Sequence, residues 1–262
     1  MLIDSITPIN DNIPEVKIIK IKRNVDDRGY FTEIYKDSDM FPIFNERLVQ
    51  VNESYSYPTV LRGLHIQWNP STSKIVRLLS GDITDFILDV RINSPTYGKL
   101  LSYNLVDYIE DFEEFIYVPH GFAHGFLTHD ISRVQYLYSN EYSKNEVSIN
   151  IFDREIDCSL CNFDFKEFGY LIEHSYLNIS DRDSKGISLS EWKSNNGSNY
   201  LKYNQKRIRI LTDEHHKCIY VGKEDDGKYT MFSNNWYEFF ININDTIIVR
   251  DIPIIGEKYY GN

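Results

Sequence analysis

Short runs of β-forming residues, broken at close intervals by turn signals, fill the first 150 residues, and no helical period of comparable length competes with them. Ile19-Lys20-Ile21-Lys22 alternates apolar and polar residues. Phe31–Tyr35, Lys74–Leu79, Asp85–Arg91, Leu100–Leu105, Phe115–Val118 and Ser132–Tyr138 are rich in β-formers but less strictly patterned. Asp27-Arg28-Gly29, Ser80-Gly81-Asp82, Asn93-Ser94-Pro95 and Pro119-His120-Gly121 supply turns between them. Many short strands at such spacing predict an all-β fold, an antiparallel sandwich or barrel of the jelly-roll kind.

The length, 262 residues, allows one large domain or one domain with a small appendage. With 42% apolar and 26% charged residues the chain has the material for a core, which excludes wholesale disorder. No apolar run approaches the ~18–20 residues of a membrane span, and Met1–Asn10 lacks the basic start and apolar stretch of a signal peptide. The expected location is cytoplasmic. A net charge of −11 argues against nucleic acid or an anionic membrane as partners. An anionic substrate would therefore need a local positive site built from particular side chains.

Around Asn150 the pattern changes. Cys158–Tyr176 is aromatic and irregular, and Ile179–Glu191 is polar with room for a helical turn. The expected organisation is a main domain over residues 1–192, a small-polar linker over 193–200, and a β-rich extension over 201–262. In the extension Arg207–Leu211, Cys218–Val221, Tyr229–Phe232 and Ile247–Val249 read as strands. The three cysteines are unlike a secreted disulfide scaffold. Cys158 and Cys161 have CxxC spacing, and His215, His216 and Cys218 have the chemistry to complete a zinc site; two small buried thiols and an unrelated third is the plainer alternative.

Polar groups crowd two places in this strand-like sequence. In Arg62-Gly63-Leu64-His65-Ile66-Gln67, alternation puts Arg62 and Gly63 on opposite faces while His65 and Gln67 share one, and Lys74 opens the next strand. Pro119-His120-Gly121-Phe122-Ala123-His124-Gly125-Phe126 suits a tight turn that delivers an imidazole into a pocket.

These segments belong to an ordered series. Asp27-Arg28-Gly29-Tyr30-Phe31-Thr32-Glu33, Gln50-Val51-Asn52-Glu53-Ser54, Leu61-Arg62-Gly63-Leu64-His65-Ile66-Gln67 and Lys74-Ile75-Val76-Arg77 are followed by Gly81-Asp82-Ile83 and Asp89-Val90-Arg91. Ser94-Pro95-Thr96-Tyr97-Gly98 and the Val118–Phe126 turn complete it. Over about residues 15–192 the series resembles the dTDP-4-dehydrorhamnose 3,5-epimerase family, cupin-fold homodimers. The resemblance implies a cupin jelly-roll barrel, a nucleotide-diphosphate keto-sugar as substrate, and no cofactor. It implies His65 as catalytic base, Asp183 as the carboxylate that orients it, Lys74 as the family lysine and Tyr136 as the acid. It further implies Arg28, Glu33, Gln50, Asn52, Arg62, His124 and Tyr142 as substrate contacts. His65-Ile66-Gln67 has Gln where metal-binding cupins carry a second histidine, and an ammonium at Lys74 would repel a divalent cation, so no metal is expected.

The residue types fit the chemistry. A keto group acidifies the hydrogens on both neighbouring carbons; an imidazole of near-neutral pKa (~6.5) can remove one, and an ammonium can stabilise the enolate. A phenol on the opposite face returns a proton and inverts the centre, while arginine forks suit a diphosphate. A single-centre epimerase, a ketoisomerase on another nucleotide sugar, or a catalytically silent sugar-nucleotide-binding cupin would share much of the same sequence.

Overall fold

The computed structural model describes residues 3–44, 46–107, 111–203, 206–212, 218–221 and 236–241. Two compact units divide the chain, Met1–Lys202 and Tyr203–Asn262. The first is built on two sheets. One carries, in spatial order, β1 (Ile3–Asn10), β2 (Ile13–Lys22), β10 (Phe112–Val118), β7 (Lys74–Ser80), β12 (Ser132–Tyr138) and β5 (Gln50–Ser56). The other runs β13 (Glu146–Ser148), β6 (Val60–Gln67), β11 (Phe122–Thr128), β8 (Asp82–Asp89), β9 (Lys99–Val106) and β14 (Asp157–Leu160), with β15 (Asn178–Ile179) also lying along β6. A separate hairpin joins β3 (Asn24–Asp26) to β4 (Gly29–Phe31). This is the mainly β jelly roll that the strand spacing predicts, in the cupin-like form that the resemblance implies.

The period of two decides which side chains meet. Val76, Leu78, Ile83, Ile87, Ile116, Val118, Phe122, Phe126 and Val134 converge between the sheets. Their neighbours face outward into two further apolar layers. Behind β6, β8 and β11 lie Leu61, Leu64, Phe86 and Leu88, covered by α2 (Lys166–Glu173) through Phe168 and Leu171 and by α4 (Leu189–Ser194) through Leu189 and Trp192. Behind β7, β10 and β12 lie Ile75, Phe115, Tyr117 and Leu137, against Met40 and Phe44 of α1 (Asp37–Phe44). A strand buried on both faces has no reason to alternate, which is why so many of these runs are uniformly β-forming.

Three segments differ from expectation. Only Phe31 of the run Phe31–Tyr35 is in a strand, the end of β4, and the chain then turns into α1. The aromatic stretch after Asn150 folds as β14, α2 and β15 and supplies the outer layer, where Phe86, Phe163, Phe165 and Phe168 interlock. Residues 193–200 are not extended: they finish α4 and form a 3₁₀ turn, Asn196–Tyr200. That turn is docked, since a Cβ on Gly197 would stand 2.8 Å from the Trp68 ring, and the Tyr200 ring lies 5.0 Å from the same indole. The second unit contains an antiparallel sheet in which β16 (Lys206–Thr212) lies between β17 (Cys218–Val221) and β18 (Trp236–Ile241). The strands expected at Tyr229–Phe232 and Ile247–Val249 lie outside the described residues, as does His215. No helix among the described residues is long and apolar enough to cross a membrane.

Candidate active site

His65 enters the space between the sheets from β6. Strict alternation would put Arg62 on the other face, yet the register with β11 slips by one residue between the pairs His124↔His65 and Phe126↔Arg62. Leu61, Leu64 and Ile66 accordingly all pack outward, and Arg62 and His65 share the inner face. Two glycines permit the slip. Gly63 has φ +102°, and a Cβ there would stand 2.6 Å from the His124 carbonyl oxygen; one on Gly125 would stand 2.3 Å from the Arg62 carbonyl oxygen. Strands this close leave no room for a side chain.

Asp183 reaches His65 from the first turn of α3 (Asp181–Ser184), whose N-cap Ser180 accepts the Asp183 N–H. Its Oδ1 lies 2.6 Å from His65 Nε2 and also accepts from Ser148 Oγ at 3.1 Å; Oδ2 accepts the Gly63 N–H at 3.2 Å. Burial raises this carboxyl, but the hydrogen bond and charge of His65, with the Gly63 amide and the Ser180 hydroxyl, outweigh it and hold Asp183 at about 2. An ionised carboxylate takes the proton side of Nε2, so in the neutral ring Nδ1 keeps the basic lone pair. His65 is 30% exposed while Asp183 is buried, the disposition of a base that meets substrate and a partner that does not.

His124, opposite His65 on β11, forms a second imidazole–carboxylate pair, with Nε2 2.6 Å from Asp85 Oδ1 on β8. Both groups are buried, so desolvation raises Asp85 and lowers His124. Asp85 Oδ2 has no hydrogen-bond partner among the described residues.

Across the cavity stand the inward residues of the other sheet. Lys74, 7% exposed, has its ammonium 5.6 Å from the Tyr138 ring centroid and no carboxylate at ion-pair distance among the described residues. Desolvation brings it down to about 8 against the opposing pull of Glu146 and Asp85. Tyr136 is 9% exposed; its hydroxyl lies 3.1 Å from Ser54 Oγ, and burial pushes the phenol upward. Along β5, Gln50, Asn52 and Ser54 face inward opposite Tyr138, Tyr136 and Val134. Gln50 Nε2 donates to Asn52 Oδ1, and Gln50 Oε1 accepts the Tyr142 N–H, which places the exposed Tyr142 at the rim. Gln67 spends its amide on the same rim: Nε2 donates to the carbonyls of Pro70 and Glu141 and Oε1 accepts from Ser143 N. Arg62 donates from Nε to Ser56 Oγ and from Nη2 to the Tyr55 carbonyl.

One chain thus brings together His65, Asp183, Lys74, Tyr136, Arg62, His124, Gln50 and Asn52, with Tyr142 beside them. Arg28 stays in the exposed β3–β4 hairpin, paired with Asp26 at 2.6 Å, and Glu33 follows in the loop before α1; no contact among the described residues links either to His65, Lys74 or Tyr136. His120 belongs to the framework: it is buried, bonded to Glu46 and 3.0 Å from Ser71 Oγ. Of the thiols, Cys158 and Cys161 are half-buried, and burial raises Cys158, against thiolate formation. Sequence reasoning assigns no role to Asp85, Ser148 or Ser54. A lone carboxylate inside Ile83-Thr84-Asp85-Phe86-Ile87-Leu88 is a usable signal for the first, and Ser54 ends the segment Gln50-Val51-Asn52-Glu53-Ser54 of the ordered series; for Ser148 the chain gives none.

A jelly roll with a His–Asp dyad on one wall and a buried lysine and tyrosine on the facing wall has the parts of an enzyme that works by acid–base chemistry. The family model of dTDP-4-dehydrorhamnose 3,5-epimerase matches residues 10–191, and the chain belongs to that family. The dTDP-4-dehydrorhamnose 3,5-epimerase of Escherichia coli K12 is 33% identical over 187 residues, 70% of this chain and 94% of the relative. That of Methanothermobacter thermautotrophicus is 44% identical over 115 residues, 42% of this chain, and the aligned stretch spans 58% of the relative's length. Among solved structures, the Legionella pneumophila dTDP-6-deoxy-D-glucose-3,5-epimerase in complex with dTDP-4-keto-L-rhamnose superposes with a TM-score of 0.62 at 28% identity, covering 76% of this chain and 98% of that one. A Mycobacterium tuberculosis epimerase gives 0.61 at 32%, covering 76% and 94%.

Proposed function

We propose that this chain epimerises a nucleotide-linked 4-keto-6-deoxy sugar at C3, C5 or both, through an enolate, in the making of a deoxysugar for surface polysaccharide. One observation carries the proposal: the side chains read as base and acid stand on opposite walls of one cavity, His65 on β6 backed by Asp183 of α3, and Tyr136 on β12. His65 Nδ1 removes the proton next to the carbonyl from one face of the ring. The new imidazolium is stabilised by Asp183 at 2.6 Å. The Lys74 ammonium, buried without a counter-ion at ion-pair distance among the described residues, stabilises the enolate oxygen; in a low-dielectric cavity its attraction is strong. Tyr136 then delivers a proton to the other face, and the centre is inverted.

Arg62 at the mouth and Tyr142 at the rim are placed for the diphosphate and nucleoside, with Gln50, Asn52 and His124 on the sugar. Arg28 and Glu33 complete the substrate contacts in a homodimer. Their hairpin exposes Val25, Tyr30 and Phe31, and the free edge strand β5 exposes Val51 and Tyr55, apolar surface that a second copy would cover. The enzyme works in the cytoplasm, the compartment that holds the nucleoside triphosphates from which activated sugars are made.

The test is proton NMR of dTDP-4-keto-6-deoxyglucose with the protein in deuterium oxide. Loss of both the C3 and C5 signals is expected, and loss of one would select a single-centre enzyme and identify its carbon. His65→Asn should remove exchange while leaving nucleotide-sugar binding within about threefold, because only proton transfer is lost. Binding without exchange in the parent protein would sink the assignment in favour of a silent binding module.

A further inference from the structure

A buried ammonium is costly unless something beside it stabilises its charge. Lys74 is 7% exposed, and no carboxylate among the described residues lies at ion-pair distance from it. The titratable groups that face it are Glu146 of β13, Asp85 of β8, His124 of β11, His65 of β6 across the cavity, and the phenols of β12; its cross-strand neighbour on β10 is the apolar Val118. The two carboxylates are committed elsewhere, Glu146 to Arg182 at 2.5 Å and Asp85 to His124 at 2.6 Å. The two imidazoles repel an ammonium whenever they are protonated.

Tyr138 occupies the place that remains. It is the partner of Lys74 in the β7–β12 register, it packs between the sheets, and Lys74 Nζ lies over its ring, 5.6 Å from the centroid. At that distance the π face attracts a cation, the more strongly where water is excluded. The ring is held in place: Tyr136 stacks on it, with centroids 6.0 Å apart and planes at 25°, and Gln50 stands opposite on β5. The Tyr138 hydroxyl makes no hydrogen bond among the described residues, and burial with Glu146 pushes the phenol up to about 12, so it meets the ammonium as a neutral ring.

We propose that Tyr138 is the positioning residue of Lys74: its ring face keeps the ammonium charged and holds it in the cavity where the enolate oxygen forms. The proposal rests on Lys74 as the cation of the epimerase reading and adds what keeps that cation in its working form. Removing the ring removes an attraction that the charged amine has and the neutral amine lacks, so Lys74 gives up its proton more readily. Activity is then lost at a lower pH on the alkaline side, while the acid side, set by His65, stays where it is.

The experiment measures kcat from about pH 5.5 to 9.5 for the full-length parent protein, Tyr138→Phe and Tyr138→Leu, each shown to be folded by its melting temperature. The substrate is dTDP-4-keto-6-deoxyglucose. In Tyr138→Leu the alkaline limb should move down by about one pH unit. With Lys74 starting at about 8, kcat should fall about fivefold at pH 8 and less than about twofold at pH 6.5, with KM within about twofold of the parent. Tyr138→Phe keeps the π face and should keep both the limb and kcat. Because leucine also leaves space behind, phenylalanines with one, two and three ring fluorines at position 138 provide a constant shape with a progressively weaker π face; the alkaline limb should step down along that series. A limb that stays in place in Tyr138→Leu or along the fluorinated series would overturn the proposal and leave the counter-charge to Glu146, Asp85 or a carboxylate of a second copy. A Tyr138→Phe variant as impaired as Tyr138→Leu would overturn it in favour of the hydroxyl as a substrate contact. A parent protein that binds the nucleotide sugar but inverts nothing would remove the epimerase reading itself, a failure visible before any variant is compared.

Discussion

Lys74 shows how a single residue can oppose stability in the service of chemistry. Its ammonium is buried against Tyr138 and shares the cavity wall with Tyr136, and desolvation lowers its pKa from 10.5 to about 8. Between those two values the unfolded chain holds a proton that the folded chain has released, so the folded state gains stability as pH rises from about 8 to 10.5. Below 8 the cost is fully present, on the order of 3 kcal/mol. Lys74→Met removes the charge at similar length. It should stabilise the protein at pH 7 by as much as about 3 kcal/mol while lowering kcat by about 10²–10³-fold. Urea midpoints measured at pH 7 and pH 10 check the first part, because the advantage of the variant should shrink at the higher pH. An equal advantage at both would mean that packing, not charge, sets the difference.

At the scale of elements, β6 and β11 decide the geometry of the cavity. His65, Lys74 and the His120–His124 turn are legible from sequence because polar groups stand out in apolar strands. The face shared by Arg62 and His65 is not legible in that way, since alternation denies it and only the slip at Gly63 and Gly125 grants it. Helices α1 and α2 escape a periodicity search for a related reason. Each is eight residues long, too short for a clear period, and its formation depends on the outer face of a sheet that the local sequence does not contain. The glycine pair yields a sharp contrast. Gly63→Ala places a methyl group against the His124 carbonyl at a positive φ and should cost at least about 2 kcal/mol, with kcat falling as His65 and Arg62 move. Gly169→Ala, in α2 with nothing within 4 Å of the added carbon, should instead stabilise by about 0.5–1 kcal/mol and leave kcat unchanged. Chemical denaturation and steady-state rates on the two variants settle both halves.

At the scale of the whole chain, every residue assigned to proton transfer lies within Met1–Lys202, and that unit has its own three-layered core. Where it ends matters. Trp192 is fully buried and donates from Nε1 to the Val90 carbonyl, the Ile92 N–H donates to the Leu201 carbonyl, and Gly197 and Tyr200 close over Trp68. These contacts cover the outer face of the sheet that carries His65 and His124. A chain ending at Lys202 should therefore fold cooperatively and keep kcat within about twofold. A chain ending at residue 191 uncovers a tryptophan-sized site in the core and should lose about 3–5 kcal/mol or fail to fold. Melting temperature and turnover on the two truncations separate the roles. If the longer truncation folded but lost turnover, the second unit would contribute directly to substrate binding or to closure of the cavity. If the shorter one matched the longer in stability, α4 and the turn after it would be an accessory layer, and the outer face of the β6–β11 sheet would be held by α2 and its phenylalanines alone.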